Sequence, residues 1–152
     1  MSEIFTEIEI NASPKTVWDI LVDLEKYKEW NPFIRESRGQ AVLGAILTCR
    51  PEVIKGRIQT FYPVVTTVVP EKTFAWTGHV VAPWFAEGEH IFEIEPVSKD
   101  RIRHVHRQIF TGLISPLMGF GLLSLRTREG FIRMNEALKV LAEKTESQSR
   151  PH

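Results

Sequence analysis

Beyond Ser115-Pro116 the apolar side chains of this chain recur at a spacing of about 3.6 residues, which is the spacing of one helix face. A serine followed by proline is also a common helix start, because the missing proline N–H costs nothing in the first turn. The run predicts a single amphipathic helix of about 27 residues. Its predicted buried face carries Leu117, Phe120, Ser124, Thr127, Phe131, Met134, Leu138 and Leu141.

The N-terminal segment predicts a strand followed by two short helices. Residues 3–11 alternate apolar and acidic side chains, and this period of two is typical of a half-buried strand. Ser13-Pro14 begins a predicted helix over about 14–23. A second short helical turn follows and ends before Pro32, because proline disfavours helical backbone at the residue that precedes it.

Glycines and prolines divide the middle of the chain into runs rich in Val, Ile, Thr and Phe, which favour strands. The predicted strands cover roughly 35–39, 43–50, 56–68, 72–80, 86–96 and 101–111. A curved antiparallel sheet of these strands and the first one needs something to fill its concave face, and the long helix is the only candidate. We therefore predict an α+β fold with one domain over 1–142 and a disordered tail over 143–152, which has no apolar residue to bury.

Composition and charge exclude several classes of protein. Lys and Arg together number 19 and balance 19 Asp and Glu, so there is no basic footprint for nucleic acid. The acidic N-terminus lacks the pattern of a signal peptide, and we expect a cytoplasmic protein. The most apolar stretch, over 113–125, is too short and interrupted for stable membrane insertion. The single Cys49 cannot form an internal disulfide and is predicted to be a buried strand residue.

Histidines on the last two predicted strands are expected to point inward. His90 and Phe92 share one strand face, and glutamates occupy the other. On the next strand His106, Gln108 and Phe110 share a face opposite the arginines. If both charged faces are solvated, the hairpin sets His90 opposite His106 or Gln108. The pattern thus predicts an apolar cavity with a small polar cluster, which is the usual makeup of a small-molecule site.

Several roles are open to these histidines. They can satisfy one another or a buried water, contact a ligand, or bind a metal, since His104 and His106 project to one side and His90 offers a third nitrogen. His90 and His106 are also the candidates for acid–base catalysis, because imidazole titrates near neutral pH. No nucleophile, oxyanion loop or phosphate-binding glycine motif accompanies them, and we expect neither a metal nor a cofactor.

Aromatic side chains are the other candidates for ligand contacts. Trp76 lies on a strand face, whereas Phe33 and Trp84 lie near predicted turns, where a cavity mouth is expected. Trp84 is interpreted either as part of a gate over the cavity or as ordinary packing on the long helix. The apolar start of that helix is a second lip of the opening or a homodimer contact. The predicted ligand-binding residues are Phe33, Trp76, Trp84, His90, Phe92, His106, Gln108, Phe110, Met118 and Phe120.

Five short segments carry a family resemblance. They are WNPFI at 30–34, FAWTG at 74–78, GEHIFEIEP at 88–96, FTG at 110–112 and MNEALK at 134–139. Together they resemble the polyketide cyclase/dehydrase branch of the START-related (SRPBCC) superfamily. The resemblance implies a helix-grip (START/Bet v 1-like) fold: a seven-stranded curved antiparallel sheet around a long C-terminal helix, with two short helices after the first strand.

The resemblance also implies a class of ligand. Members of this superfamily hold lipids, sterols, hormones, polyketide intermediates or aromatic compounds between helix and sheet, and only some are enzymes, so the fold does not decide catalysis. The leading hypothesis is binding of a hydrophobic, ring-containing small molecule that is lipid-like or polyketide-like. The alternatives are a cofactor-free cyclase or dehydratase acting through His90 or His106, and a protein-interaction or dimerisation module without ligand.

Overall fold

The order of helices and strands is the predicted one. The computed structural model describes residues 1–118 and 121–150. Its elements are β1 (Ser2–Ile10), α1 (Pro14–Val22), a 3-10 turn (Leu24–Lys26), α2 (Tyr27–Trp30), β2 (Ile34–Arg38), β3 (Thr48–Pro51), β4 (Val64–Val69), β5 (Thr73–Val80), β6 (Ala86–Ser98), β7 (Arg101–Thr111), α3 (Ser115–Met118) and α4 (Gly121–Ser149). The prediction of an α+β fold with a curved antiparallel sheet and a long C-terminal helix is confirmed.

The strands form two antiparallel sheets rather than one continuous sheet. Five strands pair in the order β1-β7-β6-β5-β4, and β2 pairs with β3. Isolated bridges from Ile46 to Val64 and from Cys49 to Phe61 join the two parts. The predicted strand over 56–68 begins only at Val64, and proline at the preceding position has no N–H to donate to a ladder. Cys49 is a buried strand residue, as predicted.

Ion pairs cover the outer face of β1, β6 and β7. Arg103 contacts Glu7 and lies 3.0 Å from Glu95, and Arg107 lies 2.7 Å from Glu93. Each such exposed pair contributes little to the free energy of unfolding. Their common effect is to keep one set of alternate side chains in water, which turns the other set toward the interior. The inward orientation predicted for the histidines is confirmed.

Helix α4 fills part of the concave face of the sheet. Its buried residues include four predicted ones, Thr127, Phe131, Met134 and Leu138. The predicted helix is divided into α3 and α4, because Gly121 has a φ of +83°, which no right-handed helix contains. No helix in the described part of the chain is long and apolar enough to cross a bilayer.

The ends of the predicted helix differ from the structure. Leu117 lies in α3 with 75% of its surface exposed, and Phe120 lies outside the described residues. At the C-terminus α4 continues to Ser149, so most of the predicted disordered tail is helical. The physical reason is that Glu146 is buried and accepts a hydrogen bond from the Thr16 hydroxyl, which gives a polar segment a partner within the fold. Residues 151–152 lie outside the described residues.

We expect the last turns of α4 to stabilise the fold. Deleting residues 143–152 removes the Glu146 contact with Thr16 and the bond from the Asn11 amide to Glu143, which is 2.9 Å long. Hydrogen bonds to carboxylates are worth roughly 2 kcal/mol each. Urea unfolding of the truncated chain should show a loss of about 2–4 kcal/mol. Deleting only 147–152 is the control, and equal stability of both truncations would contradict this expectation.

A close contact between helix and sheet predicts a second stability effect. A Cβ added at Gly130 would lie 2.3 Å from Cδ1 of Phe33, whose ring packs edge-on against Phe131. Alanine is favoured over glycine in a helix by about 1 kcal/mol, but overpacking a core costs about 1–3 kcal/mol. Gly130→Ala should therefore lower the thermal midpoint, whereas Glu129→Ala on the exposed side should leave it nearly unchanged. A higher thermal midpoint for Gly130→Ala would contradict this expectation, because it would mean that the Phe33 ring moves aside at little cost.

Candidate functional site

A cavity of about 330 Å³ lies between the sheet and the first turns of α4. Its walls are mostly apolar and aromatic. They include Phe33, Ile34, Val53, Ile54, Phe61, Pro63, Trp76, Phe110, Met118 and Leu123. The polar side chains at the cavity are few: Cys49, Gln59, His79, Glu87, His90, Gln108 and Thr127. A sparsely polar cavity of this size is typical of a small-molecule site.

The structure brings most of the predicted ligand-binding residues to this cavity. Those that line it are Phe33, Trp76, His90, Gln108, Phe110 and Met118. Phe92 and His106 are fully buried behind the lining, where both rings contact the ring of His90. Phe120 lies outside the described residues.

Trp84 is not among the lining residues, and 69% of its surface is exposed. It lies in a turn closed by a 3.0 Å hydrogen bond from the Phe85 amide to the Ala82 carbonyl, and its ring meets the Phe85 ring edge-on. The structure therefore gives no support to a gate formed by Trp84.

Two glycines shape the cavity wall, and sequence analysis assigned neither of them to the site. A Cβ at Gly88 would lie 2.6 Å from Nε2 of Gln108, so Gly88 gives that amide its space. A Cβ at Gly78 would meet only Pro63, at an ordinary 3.6 Å. Phe61 and Pro63 were also missed: they lie within the strand predicted over 56–68, but in the structure they precede β4, which begins at Val64.

A buried chain of hydrogen bonds leads away from the cavity through His90. Nε2 of His90 lies 2.6 Å from Nε2 of His106, and Nδ1 of His106 lies 2.9 Å from Oδ1 of Asn135. Nδ2 of Asn135 donates to the Thr6 hydroxyl over 3.0 Å. In the strand register His90 lies opposite Gln108, and His106 lies opposite Phe92, two residues further along. The predicted polar cluster forms, and it extends to β1 and α4.

Burial keeps the inward histidines neutral. Loss of hydration lowers the pKa of His90 to about 3 and that of His104 to about 4. The pKa of His106 is held well below its ordinary value by the same burial and by its imidazole neighbours. Burial also raises the pKa of the Cys49 thiol to about 12, so this cysteine is not an activated nucleophile.

Metal binding finds no support in the described part of the chain. No group of three or more His, Cys, Asp or Glu side chains converges there as metal ligands do. The imidazole nitrogens of His90 and His106 face each other instead of a common point.

Neutral buried histidines predict a loss of stability in mild acid. Below pH 6.5 the unfolded chain takes up protons that the folded chain excludes, so the free energy of unfolding falls from pH 7 toward pH 5. Each such histidine contributes up to about 1.4 kcal/mol per pH unit. Urea unfolding at several pH values gives the slope of the free energy of unfolding against pH. This slope should be about one third smaller in His104→Phe than in the wild-type protein. The exposed His79→Gln is the control, and a slope unchanged by His104→Phe would contradict the assignment.

Comparison with known proteins places the fold. The family described as polyketide cyclase / dehydrase and lipid transport matches residues 1–143. No curated protein matches the chain by sequence. The crystal structure of the Zhui aromatase/cyclase from Streptomyces sp. R1128 is similar with a TM-score of 0.74 and 16% identity, over 93% of each chain.

Two further solved structures are similar. A START superfamily protein from Mycobacterium smegmatis has a TM-score of 0.68 and 18% identity, over 99% of this chain and 100% of that chain. The di-domain ARO/CYC BexL has a TM-score of 0.65 and 14% identity, over 98% of this chain and 50% of that chain. At identities this low the similarity shows a shared helix-grip fold, and it does not show a shared activity. With a family match over nearly the whole chain, the protein belongs to the polyketide cyclase / dehydrase and lipid transport family.

Proposed function

We propose that this protein binds a hydrophobic, ring-containing small molecule, lipid-like or polyketide-like, in the cavity between the sheet and α4. The observation that carries the proposal is an open cavity of about 330 Å³ whose wall is apolar except for a few side chains. Burial of a ligand's apolar surface in such a space supplies affinity, and the polar groups of His90 and Gln108 fix its orientation.

Aromatic walls favour a ligand with rings. Trp76 lies at the cavity with its ring 4.9 Å from that of His90, and Phe33 lines the helix side. Aromatic rings in offset or edge-on arrangements attract each other more strongly than the buried apolar area alone accounts for. A flat or ring-containing molecule therefore makes better contact with this cavity than a flexible alkyl chain does.

Cofactor-free cyclisation or dehydration is the second candidate function. The observation that favours it is a neutral imidazole, His90, at the wall of an apolar cavity, where it is able to move a proton on a bound ligand. The family description and the aromatase/cyclase similarity agree with this chemistry. His106 lies behind His90 and acts in this proposal only through it.

Pairing of two copies is a third candidate. Leu113, Leu117, Leu122 and Leu125 expose large apolar surfaces around α3 and the start of α4. These four leucines are not among the lining residues of the cavity, whereas Met118 and Leu123 of the same region are. A homodimer through the four leucines is therefore compatible with ligand binding. A cytoplasmic location likewise stays a prediction.

Filling the cavity should abolish ligand binding without unfolding the protein. Gly78→Leu adds a side chain at the cavity wall, where its Cβ meets only Pro63 at 3.6 Å. We expect native mass spectrometry of the wild-type protein to show a copurifying organic molecule, and the Gly78→Leu protein to lack it. Thr77→Leu places the same side chain at the neighbouring residue, on the opposite strand face, and is the control.

Two outcomes would contradict the proposal. One is a wild-type protein that carries no molecule and binds none of a panel of ring compounds by calorimetry. The other is equal binding by wild-type protein and a folded Gly78→Leu variant, which would place the ligand outside this cavity.

A further inference from the structure

The hydrogen-bond chain behind His90 has a fixed direction, which begins at Thr6. The Thr6 hydroxyl lies 2.7 Å from the backbone carbonyl oxygen of His106, and a carbonyl oxygen only accepts. Thr6 therefore uses its single proton there. Its oxygen accepts from Asn135, whose Nδ2 lies 3.0 Å away. This contact sets the orientation of the Asn135 side-chain amide.

The orientation of Asn135 selects the tautomer of His106. With Nδ2 toward Thr6, the carbonyl Oδ1 of Asn135 lies 2.9 Å from Nδ1 of His106. A carbonyl oxygen has no proton to give, so Nδ1 of His106 carries the proton. In a neutral imidazole the other nitrogen is then a bare acceptor. Nε2 of His106 must accept.

His106 in turn selects the tautomer of His90. The two Nε2 atoms lie 2.6 Å apart, and two bare lone pairs at that distance would repel each other. The proton between them comes from His90, so Nε2 of His90 is the donor. Burial keeps both rings neutral, which leaves Nδ1 of His90 without a proton.

The other nitrogen of His90, Nδ1, is not fully buried. Nδ1 makes no hydrogen bond within residues 1–118 and 121–150. The fully buried side-chain nitrogen and oxygen atoms without a partner in those residues are Nδ2 of Asn31 and Nε2 of His104, so Nδ1 of His90 keeps some accessible surface. His90 itself lines the cavity. Its free nitrogen is therefore an acceptor that a bound molecule can reach.

We propose that the chain from Thr6 through Asn135 and His106 fixes His90 as a hydrogen-bond acceptor, so that the ligand presents a donor, such as a phenolic hydroxyl, to Nδ1 of His90. The ligand half of this inference rests on the proposed function. A ring compound with only ether or carbonyl oxygens at that point would set a lone pair against a lone pair. Thr6, Asn135 and His106 are positioning residues in this arrangement.

The tautomers are testable without any ligand. In ¹⁵N-labelled protein at pH 7, imidazole ¹⁵N–¹H correlation spectra should show His106 protonated at Nδ1 and His90 protonated at Nε2. A proton on Nδ1 of His90 would overturn the inference, whatever the protein binds. In Thr6→Val the amide of Asn135 loses its anchor, and a mixture of tautomers should appear at both histidines.

Binding of two matched probes tests the ligand half. By calorimetry the wild-type protein should bind 2-naphthol about tenfold more tightly than 2-methoxynaphthalene, although the ether is the more hydrophobic of the two. His90→Phe should remove this preference, and Thr6→Val should reduce it. His104→Phe is the control. It removes an equally buried imidazole that takes no part in the hydrogen bonds from Thr6 to His90, and this variant should retain the preference.

The outcomes separate this inference from the proposed function. Saturable binding of both probes with equal affinity would contradict the donor requirement and leave small-molecule binding intact. No saturable binding of either probe, or of other ring compounds, would contradict the proposed function and with it the ligand half of the inference. A preference that persists in folded His90→Phe would show that another group selects the donor.

Discussion

Antiparallel pairing of β6 with β7 is the constraint on which the interior depends. The pairing sets odd-numbered residues against odd-numbered ones, so that Glu93 and Arg107 meet on the outer face. Alternate residues must then point inward, and these include three histidines. A shift of one residue would bury the charged rows and expose Phe92, at a cost far above the worth of any single ion pair. The register is therefore set by hydration of the charged rows as much as by burial of the apolar ones.

Helix α4 completes the interior unevenly. Around its middle, Phe131, Met134 and Leu138 are fully buried in the core. Near its start Leu123 and Thr127 line the cavity, which lies between them and the sheet. One helix thus packs the core around its middle and borders a cavity near its start. This division explains how the domain holds a stable core beside an unfilled apolar space.

The polar groups in this interior are ordered by a few contacts. Burial of three neutral imidazoles is tolerable because His106 and His90 have hydrogen-bond partners, and His104 has the carbonyl of Glu93. The same partners decide which nitrogen carries each proton. A network that satisfies buried groups also gives the cavity a polar atom of defined character, so its structural and functional roles rest on the same bonds.

The sequence by itself determined most of the strand and helix periods, the inward face of β6 and β7, the middle of the buried face of the long helix, and family membership through its short motifs. These follow from side-chain alternation, which needs only local geometry and the contrast between charged and apolar residues. The tertiary structure decided what no period encodes: that Trp84 lies outside the cavity while Phe61 lines it, that Gly88 makes room for Gln108, and that Asn135 and Thr6 meet His106. It also ordered the polar C-terminal turns through Glu146 and Thr16. Such contacts join residues from different strands and helices, and two of them, between Thr6 and Asn135 and between Thr16 and Glu146, span more than a hundred positions of the chain. Their geometry exists only once the sheet has curved around the helix.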